Sequence, residues 1–262
     1  MLNTTPYTSD SNPGARPLII APGLFGSARN WNAIAKRLSA DRPVIALDMR
    51  NHGDSFWDDD HSYQAMADDI AEVIEANGGV ADVLGHSMGG KAAMTLALTR
   101  PQLVAHLIVA DIAPENYDHG DNHSALIEAM QGMDIADLTS RSAADERLGE
   151  QVFDPGTRAF LLQSLVLRDG PPRWKFNLAA LKANMDGILG WPEALEGKQY
   201  DGPTLFLSGA DSHYVQPEMH DRIRGFFPQA RFEEIDNAGH WLHAEKPREF
   251  EADVARFLDS TS

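Results

Sequence analysis

The chain has 262 residues, of which 43% are hydrophobic and 23% are charged, a balance typical of a soluble globular protein. Its length suits one large domain, or one domain with an insertion. It contains no cysteine, which excludes disulfides, thiolate metal ligands and a cysteine nucleophile. The formal net charge of −17 opposes approach to phosphate, so neither nucleic acid nor an anionic membrane is expected as a partner.

The sequence shows no segment suited to cross or enter a membrane. No apolar run approaches the roughly 20 residues that cross a bilayer. The first ten residues lack both the basic start and the apolar stretch of a secretory signal. We therefore expect a cytoplasmic protein.

Short apolar runs and amphipathic stretches alternate along most of the chain. Residues 1–16 come first and are polar, as in a tail or an edge hairpin. Further on, Met66 and Ile70 share one helical face, and so do Phe250 and Val254. Such alternation predicts an α/β fold, in which helices cover both faces of a mostly parallel sheet. The predicted buried strands are residues 17–21, 44–48, 80–84, 104–110, 204–208 and 231–235.

The alternation stops between residues 114 and 200. This segment has helical patterns but no convincing strand, and insertions of this length in compact domains tend to be functional lids. Open α/β sheets bind ligands at the carboxyl ends of their strands. We therefore expect a core of residues 17–113 and 201–262, with residues 114–200 as a helical cap over that edge. The helical patterns cover residues 124–133, 157–167 and 176–185.

The strongest motif is Gly85-His86-Ser87-Met88-Gly89, a G-x-S-x-G between a predicted strand and a predicted helix. A sharp strand-to-helix turn projects the serine hydroxyl above the sheet, and the small residues permit its strained backbone. The helix over residues 90–99 directs its positive end at the same place. This context predicts that Ser87 is a nucleophile.

A serine nucleophile needs a base within hydrogen-bond reach. His240 lies late in the chain, in the loop after the last predicted strand, and so fits the order Ser, acid, His of strand-turn-helix hydrolases. We predict that His240 is this base and that the nearby His243 is structural. The acid is open: Asp211 follows the next-to-last predicted strand, and Asp111 follows the strand beside it, so either could orient the imidazole.

The chemistry also requires two preorganised N–H donors for the developing oxyanion. One is expected from Met88, directly after the nucleophile. The other is expected from Leu24, in the glycine-containing loop of residues 22–26. No metal site is predicted. We interpret the segment with His119, Asp121 and His123 as a solvated polar loop, and acyl transfer through Ser87 requires neither a metal nor another cofactor.

Taken together, these motifs resemble the small α/β-hydrolase esterases of the YbfF type. The resemblance covers nearly the whole chain after its first residues and implies an eight-stranded, mostly parallel sheet with a helical cap. It also implies cofactor-free hydrolysis of short acyl esters or thioesters, with a small-molecule ester as substrate, and it supports Leu24 and Met88 as oxyanion donors. The motifs are residues 23–27 with Asn30-Trp31, residues 48–55, the elbow at residues 85–90, and residues 239–247.

Two positions depart from this family pattern. Many relatives have His-Gly where this chain has Pro22-Gly23. YbfF-type relatives often carry Asn at the position of Asp211, which leaves the position of Asp111 as their acid. Both aspartates are present here, so both remain candidates. The resemblance also implies that the segment containing Arg50, His52 and Ser55 supports the floor of the active site.

Other functions fit parts of the sequence. Residues 85–91 match most of a nucleotide-binding P-loop, but Ala92 stands where that loop needs Ser or Thr for Mg²⁺. A thioesterase, a C–C hydrolase or a cofactor-free haloperoxidase could use the same three side chains. A ligand receptor that retains the hydrolase fold is a further alternative, since a fold does not establish turnover.

Overall fold

The structure is a computed structural model that describes residues 1–117 and 120–260. Its nine strands are β1 (Asn3–Tyr7), β2 (Leu18–Ala21), β3 (Val44–Asp48), β4 (Ala81–His86), β5 (Val104–Ala110), β6 (Leu165–Val166), β7 (Arg173–Trp174), β8 (Thr204–Gly209) and β9 (Ala230–Ile235). Its helices are α1 (Asn32–Leu38), α2 (Tyr63–Ala76), α3 (Met88–Thr99), α4 (Gly120–Gly132), α5 (Arg141–Leu148), α6 (Pro155–Leu162), α7 (Leu178–Ala183), α8 (Met185–Leu189), α9 (His220–Phe226), α10 (Leu242–Glu245) and α11 (Pro247–Ser260).

The main sheet has the strand order β1-β3-β2-β4-β5-β8-β9. All neighbours are parallel except β1, which runs antiparallel to β3 along one edge. The six strands predicted from apolar runs are all present, and the predicted α/β class is confirmed. Parallel strands end at the same edge, so the residues that follow β2, β4, β5 and β8 are brought close together.

The expected eight-stranded sheet is wrong by one strand, because the described residues place seven strands in it. β1 forms the antiparallel edge, but the chain after it continues as a loop instead of a second edge strand. Pro13 and Pro17 in this loop have no backbone N–H for a sheet ladder. The hydroxyl of Ser9 donates to the carbonyl of Ala40 at 3.0 Å, which ties the loop to the end of α1 instead.

Side chains that alternate along each strand form two apolar layers, one on each face of the sheet. On β2, Ile19 and Ala21 face the layer that includes α2 and α3, whereas Leu18 and Ile20 face the layer that includes α1 and α11. Both faces are therefore buried, as expected for parallel strands. Across the described ranges, no helix has the length and apolar character of a bilayer span.

Residues 114–200, which lie between β5 and β8 and are called the inserted segment here, contain α4 to α8. It also contains a two-stranded antiparallel ribbon, β6–β7, where the sequence predicted a helix over residues 157–167. The helix stops at Leu162, and Asp169 and Gly170 take positive φ angles of 61° and 123° in the turn between the two strands. The ribbon therefore depends on that turn. The apolar periodicity of the preceding residues gives no indication of it.

The polar loop expected around Asp121 and His123 is also corrected. Both residues belong to α4, which begins at Gly120. His119, the third residue of that interpretation, lies outside the described residues. In the part of the chain that is described, no group of three His, Asp or Glu side chains is placed to hold a metal ion.

Candidate active site

Ser87 lies on the turn between β4 and α3, in a strained conformation with φ 52° and ψ −121°. The turn is tight enough that a Cβ on Gly85 would collide with the carbonyl of Gly89, and a Cβ on Gly89 would collide with the carbonyl of Ala21. The two glycines of the motif are therefore required by sterics. The geometry is that of a nucleophile elbow, with the Ser87 hydroxyl half-buried at the carboxyl edge of the sheet.

Three of the predicted residues form a continuous hydrogen-bonded line. His240 Nδ1 lies 2.7 Å from Asp111 Oδ2, and His240 Nε2 lies 3.1 Å from Ser87 Oγ. A carboxylate only accepts hydrogen bonds, so the imidazole proton is on Nδ1. Nε2 is then the acceptor for the Ser87 hydroxyl.

The carboxylate of Asp111 is fully buried, and its backbone has a positive φ of 52°. Beyond the imidazole of His240, it accepts hydrogen bonds from the Gly209 N–H at 3.2 Å and from the Ser212 hydroxyl at 2.5 Å. These donors compensate for the loss of water around a buried negative charge. The acceptor that faces His240 is thereby fixed in direction.

Asp211, the other candidate acid, is exposed. Its N–H donates to the carbonyl of Ala238 at 2.9 Å, which fixes the loop after β8. Among the hydrogen bonds of the described residues, the imidazole of His240 contacts Asp111 and not Asp211. The two aspartates at the ends of neighbouring strands therefore have different environments.

Aromatic rings surround the His240 imidazole. Tyr214 stacks on it, with ring centroids 4.1 Å apart, and the His86 ring lies 4.8 Å away. Burial lowers the pKa of His86 to about 3 and that of His243 well below its usual value. His243 stacks on Trp31 at 4.3 Å, as expected for a structural residue. Both histidines are therefore neutral near pH 7, and they add no competing positive charge beside His240.

The loop that carries Leu24 lies against the elbow. A Cβ on Gly23 would be 2.9 Å from Nδ1 of His86 and 3.1 Å from the Ser87 Cβ, so a larger residue here would have to displace its neighbours. The next residue, Phe25, has a positive φ of 62°, and its N–H donates to Nε2 of His52 at 3.1 Å. His52 is completely buried and can accept there only as the neutral tautomer, with Nδ1 donating to the carbonyl of Arg50 at 2.9 Å. Burial accordingly lowers the pKa of His52 to about 4.

Asp48, at the end of β3, holds neighbouring backbone in place. It accepts hydrogen bonds from the N–H groups of Ala28 at 2.8 Å and Asp54 at 2.9 Å. The guanidinium of Arg50 pairs with the buried carboxylate of Asp69 through two hydrogen bonds of 2.6 and 2.9 Å. Through these contacts and the acceptor role of His52, the segment beginning at Asp48 holds the backbone of residues 25 and 28 in place.

Two small cavities meet at Ser87, with volumes of about 70 and 30 Å³. Leu24 lines both of them. The larger is also lined by Phe160 and Trp241, whose ring centroids lie 5.6 Å apart, and the smaller by Met88. The inserted segment therefore supplies part of the wall around the serine.

Lys91, in α3, is 1% exposed. Its Nζ donates to the carbonyls of Glu115 at 2.8 Å, Leu189 at 2.8 Å and Gly190 at 2.6 Å, and these three bonds use all the donors of an ammonium. The Tyr117 ring lies 4.8 Å from the same atom, and burial lowers the pKa of Lys91 to about 7. The lysine fastens both ends of the inserted segment to α3. No donor is left for a nucleotide phosphate, as a P-loop would require.

Three residues of this site were not identified from the sequence. Ser212 donates to Asp111, Tyr214 stacks on His240, and Lys91 joins the inserted segment to the elbow helix. The position of Ser212 and Tyr214 in the loop after β8 is the only local signal for them. For Lys91 the signal was that it is the one charged residue of the helix that follows the elbow.

Comparison with known proteins agrees with this geometry. The model of the alpha/beta hydrolase fold family matches residues 16–247. The sn-1-specific diacylglycerol lipase ABHD11 of Mus musculus is 43% identical over 248 residues, covering 92% of this chain and 80% of that protein. Esterase YbfF of Escherichia coli K12 is 36% identical over 259 residues, covering 98% and 99%. A solved structure described as a marine microorganism esterase superposes with a TM-score of 0.92 at 35% identity, covering 98% of each chain.

The chain belongs to the alpha/beta hydrolase fold family. Its fold and its similarity over nearly full length to proteins named esterase identify it more narrowly. It is a serine hydrolase of carboxylic esters, of the YbfF type that the sequence motifs indicated.

Proposed function

We propose that ester cleavage by this chain proceeds through an acyl-enzyme on Ser87, with His240 as general base and Asp111 as the residue that orients it. The observation that carries the proposal is the line of two hydrogen bonds, 2.7 and 3.1 Å long, that joins the three side chains. Nδ1 of His240 is held by a buried carboxylate, so Nε2 is free to take the serine proton. Asp211 is exposed and has no part in this step.

We assign oxyanion stabilisation to the N–H groups of Leu24 and Met88. Met88 is the first residue of α3, so its N–H has no acceptor within the helix. Leu24 lies in the loop that packs on Ser87 through Gly23, and it lines both cavities at the serine. Two fixed donors aimed at one oxygen stabilise the negative charge of a tetrahedral intermediate.

The reaction then runs in two halves. His240 takes the proton of Ser87 as its Oγ attacks the carbonyl carbon, and the oxyanion forms between the two N–H donors. The protonated imidazole gives its proton to the leaving alkoxide, which departs as the alcohol and leaves the acyl group on Ser87. Water, deprotonated by His240, attacks this ester and releases the carboxylic acid, and the proton returns to Ser87. No cofactor takes part.

The substrate we propose is a small ester with a short acyl chain. Cavities of about 70 and 30 Å³ at Ser87 suit a few carbon atoms better than a long chain. We further propose that residues 114–200 act as the cap that encloses this space, over a core of residues 17–113 and 201–262. The cap contributes Phe160 and Leu161 to the wall of the larger cavity.

The chain is proposed to work in the cytoplasm on a small molecule, without nucleic acid or a membrane surface as partner. Its net charge of −17 opposes both kinds of polyanionic surface. A diacylglycerol substrate, as named for one relative, would require the cavities to widen for a long acyl chain. The acyl preference therefore distinguishes the two substrate classes.

The test is steady-state hydrolysis of p-nitrophenyl acetate, butyrate and octanoate by the wild type and by Ser87→Ala. We expect the highest kcat/KM with acetate or butyrate and loss of turnover in the variant. Activity that survives in a folded Ser87→Ala protein would refute the nucleophile. A preference for octanoate would support the long-chain substrate. Bound ligand without multiple turnovers would favour the receptor alternative.

A further inference from the structure

A cavity of about 910 Å³ lies on the side of the molecule next to the Ser87 site, between the core and the inserted segment. We call it the arginine groove, after Arg29, Arg141, Arg168 and Arg173, which line it. It has more than ten times the volume of the larger cavity at Ser87. A space of this size accommodates a whole small molecule.

The four arginines have no acidic partner within hydrogen-bonding distance among the described residues, unlike most arginines elsewhere in the chain. Arg50 and Arg158, for example, are each paired with an aspartate. The pKa of Arg141 is lowered, mainly by partial desolvation and in addition by the positive charge of Arg29. Guanidinium groups held together without carboxylates repel one another, which is a cost that a bound anion would remove.

The acidic residues of the groove do not neutralise this charge. The carboxylate of Asp48 accepts backbone N–H bonds, and Asp54 pairs with Lys175 at 2.7 Å. Asp169 is exposed, as are the four arginines. Five basic and three acidic side chains line the groove, so its lining carries a net positive charge in a chain of net charge −17.

We propose that the arginine groove is a second ligand site, which binds the phosphate groups of a small phosphorylated molecule. Guanidinium groups present planar, forked donors that match the oxygens of phosphate and bind it through paired hydrogen bonds. Four of them around one cavity suit a ligand with more than one phosphate charge. The negative charge of the rest of the surface disfavours large polyanions, and this restricts the ligand to a molecule that fits inside the groove.

The groove is separate from the ester site, although the two share a wall. Asn30 lines the cavity at Ser87 and Gln163 lines the groove, and the Nδ2 of Asn30 donates to the Oε1 of Gln163 at 2.8 Å. The Oδ1 of Asn30 is held by the N–H of Ser27, also at 2.8 Å. This bridge between core and inserted segment forms part of the wall between the two spaces, and no residue lines both of them. The groove is therefore a space of its own, apart from the cavity where the ester reacts at Ser87.

Isothermal titration with sodium pyrophosphate, at ionic strength held constant with sodium chloride, tests the proposal. We expect saturable binding to the wild type and affinity reduced by about tenfold or more in Arg29→Gln/Arg141→Gln. A second double variant, Arg168→Gln/Arg173→Gln, should show the same loss through the other side of the groove. Arg248→Gln is the control for loss of a surface charge elsewhere, because Arg248 is exposed, lies outside the groove and has no ion pair in the described part of the chain.

Retained turnover of p-nitrophenyl butyrate shows that each variant is folded, and if one double variant fails to fold, the other decides. Vesicles containing phosphatidate are a second titrant, and we expect no binding to them. Absence of saturable pyrophosphate binding to the wild type would refute the proposal. So would an equal loss of affinity in Arg248→Gln, which would indicate a nonspecific charge effect, or binding to the vesicles alone.

Discussion

The substitution Asp111→Asn tests whether the acid has been assigned to the correct strand. The carboxylate of Asp111 accepts three hydrogen bonds, from His240, Gly209 and Ser212. An asparagine offers one acceptor oxygen and an NH₂ group. If the oxygen takes the place of Oδ1 and keeps the bond of Gly209, the NH₂ group takes the place of Oδ2, where it faces both the imidazole and the Ser212 hydroxyl, and Nδ1 of His240 must become an acceptor. The proton then moves to Nε2, which can no longer accept one from Ser87.

We expect kcat to fall by about 10⁴, which corresponds to roughly 5.5 kcal/mol in the activation free energy at about 1.4 kcal/mol per decade. Asp211→Asn is the matched control: the same change of charge at an exposed position should alter kcat by less than about tenfold. The assay is kcat for p-nitrophenyl butyrate, with circular dichroism to show that both proteins are folded. Similar losses in the two variants, or the larger loss in Asp211→Asn, would refute the assignment.

Three further predictions concern residues around the triad. Lys91→Met should lower the free energy of unfolding, measured in urea titrations, by about 2–4 kcal/mol, because three carbonyls lose their donor. The control Lys36→Met, at an exposed site, should change it by less than about 0.5 kcal/mol. His52→Leu removes the acceptor for the Phe25 N–H and should lower kcat by about 10²-fold with little change in KM, and an unchanged kcat would contradict that positioning role. The free energy of unfolding should decrease as pH falls from about 6.5 towards 4. The pKa values of His52, about 4, and His86, about 3, lie below the usual histidine value that applies in the unfolded chain. The unfolded chain therefore binds more protons than the folded protein in this range. The slope of unfolding free energy against pH should be smaller in His52→Leu, and an identical slope would exclude a contribution from that histidine.

The elbow and its serine could be predicted because their constraints are local. Five consecutive residues form the elbow, and the two glycines that its sterics require, Gly85 and Gly89, are themselves part of the motif. The buried strands could be predicted for a similar reason, since each is a short apolar run covered on both faces. The edge strand β1 was left open as a tail or hairpin, because its half-exposed residues carry no such run.

The partner of His240 could not be chosen from the sequence. Asp111 and Asp211 follow neighbouring parallel strands, so both reach the same edge of the sheet. What separates them is the backbone conformation after each strand: Asp111 turns inward with a positive φ, and the loop after β8 leaves Asp211 exposed. That difference arises from contacts between residues about a hundred positions apart, such as the bond from Ser212 to Asp111.

The attachment of Lys91 has a mechanical consequence for catalysis. Only Ile112 and Ala113 separate Asp111 from the start of the inserted segment, so movement of that segment could pull directly on the acid. The ammonium of Lys91 donates a hydrogen bond to the carbonyl of Glu115, just beyond this point. It also donates to the carbonyls of Leu189 and Gly190, near the other end of the inserted segment. A displacement farther along the insertion is therefore resisted at the Lys91 contacts before it is transmitted through the chain to Asp111. The position of this aspartate depends less on the shape of the insertion than its place in the sequence would suggest.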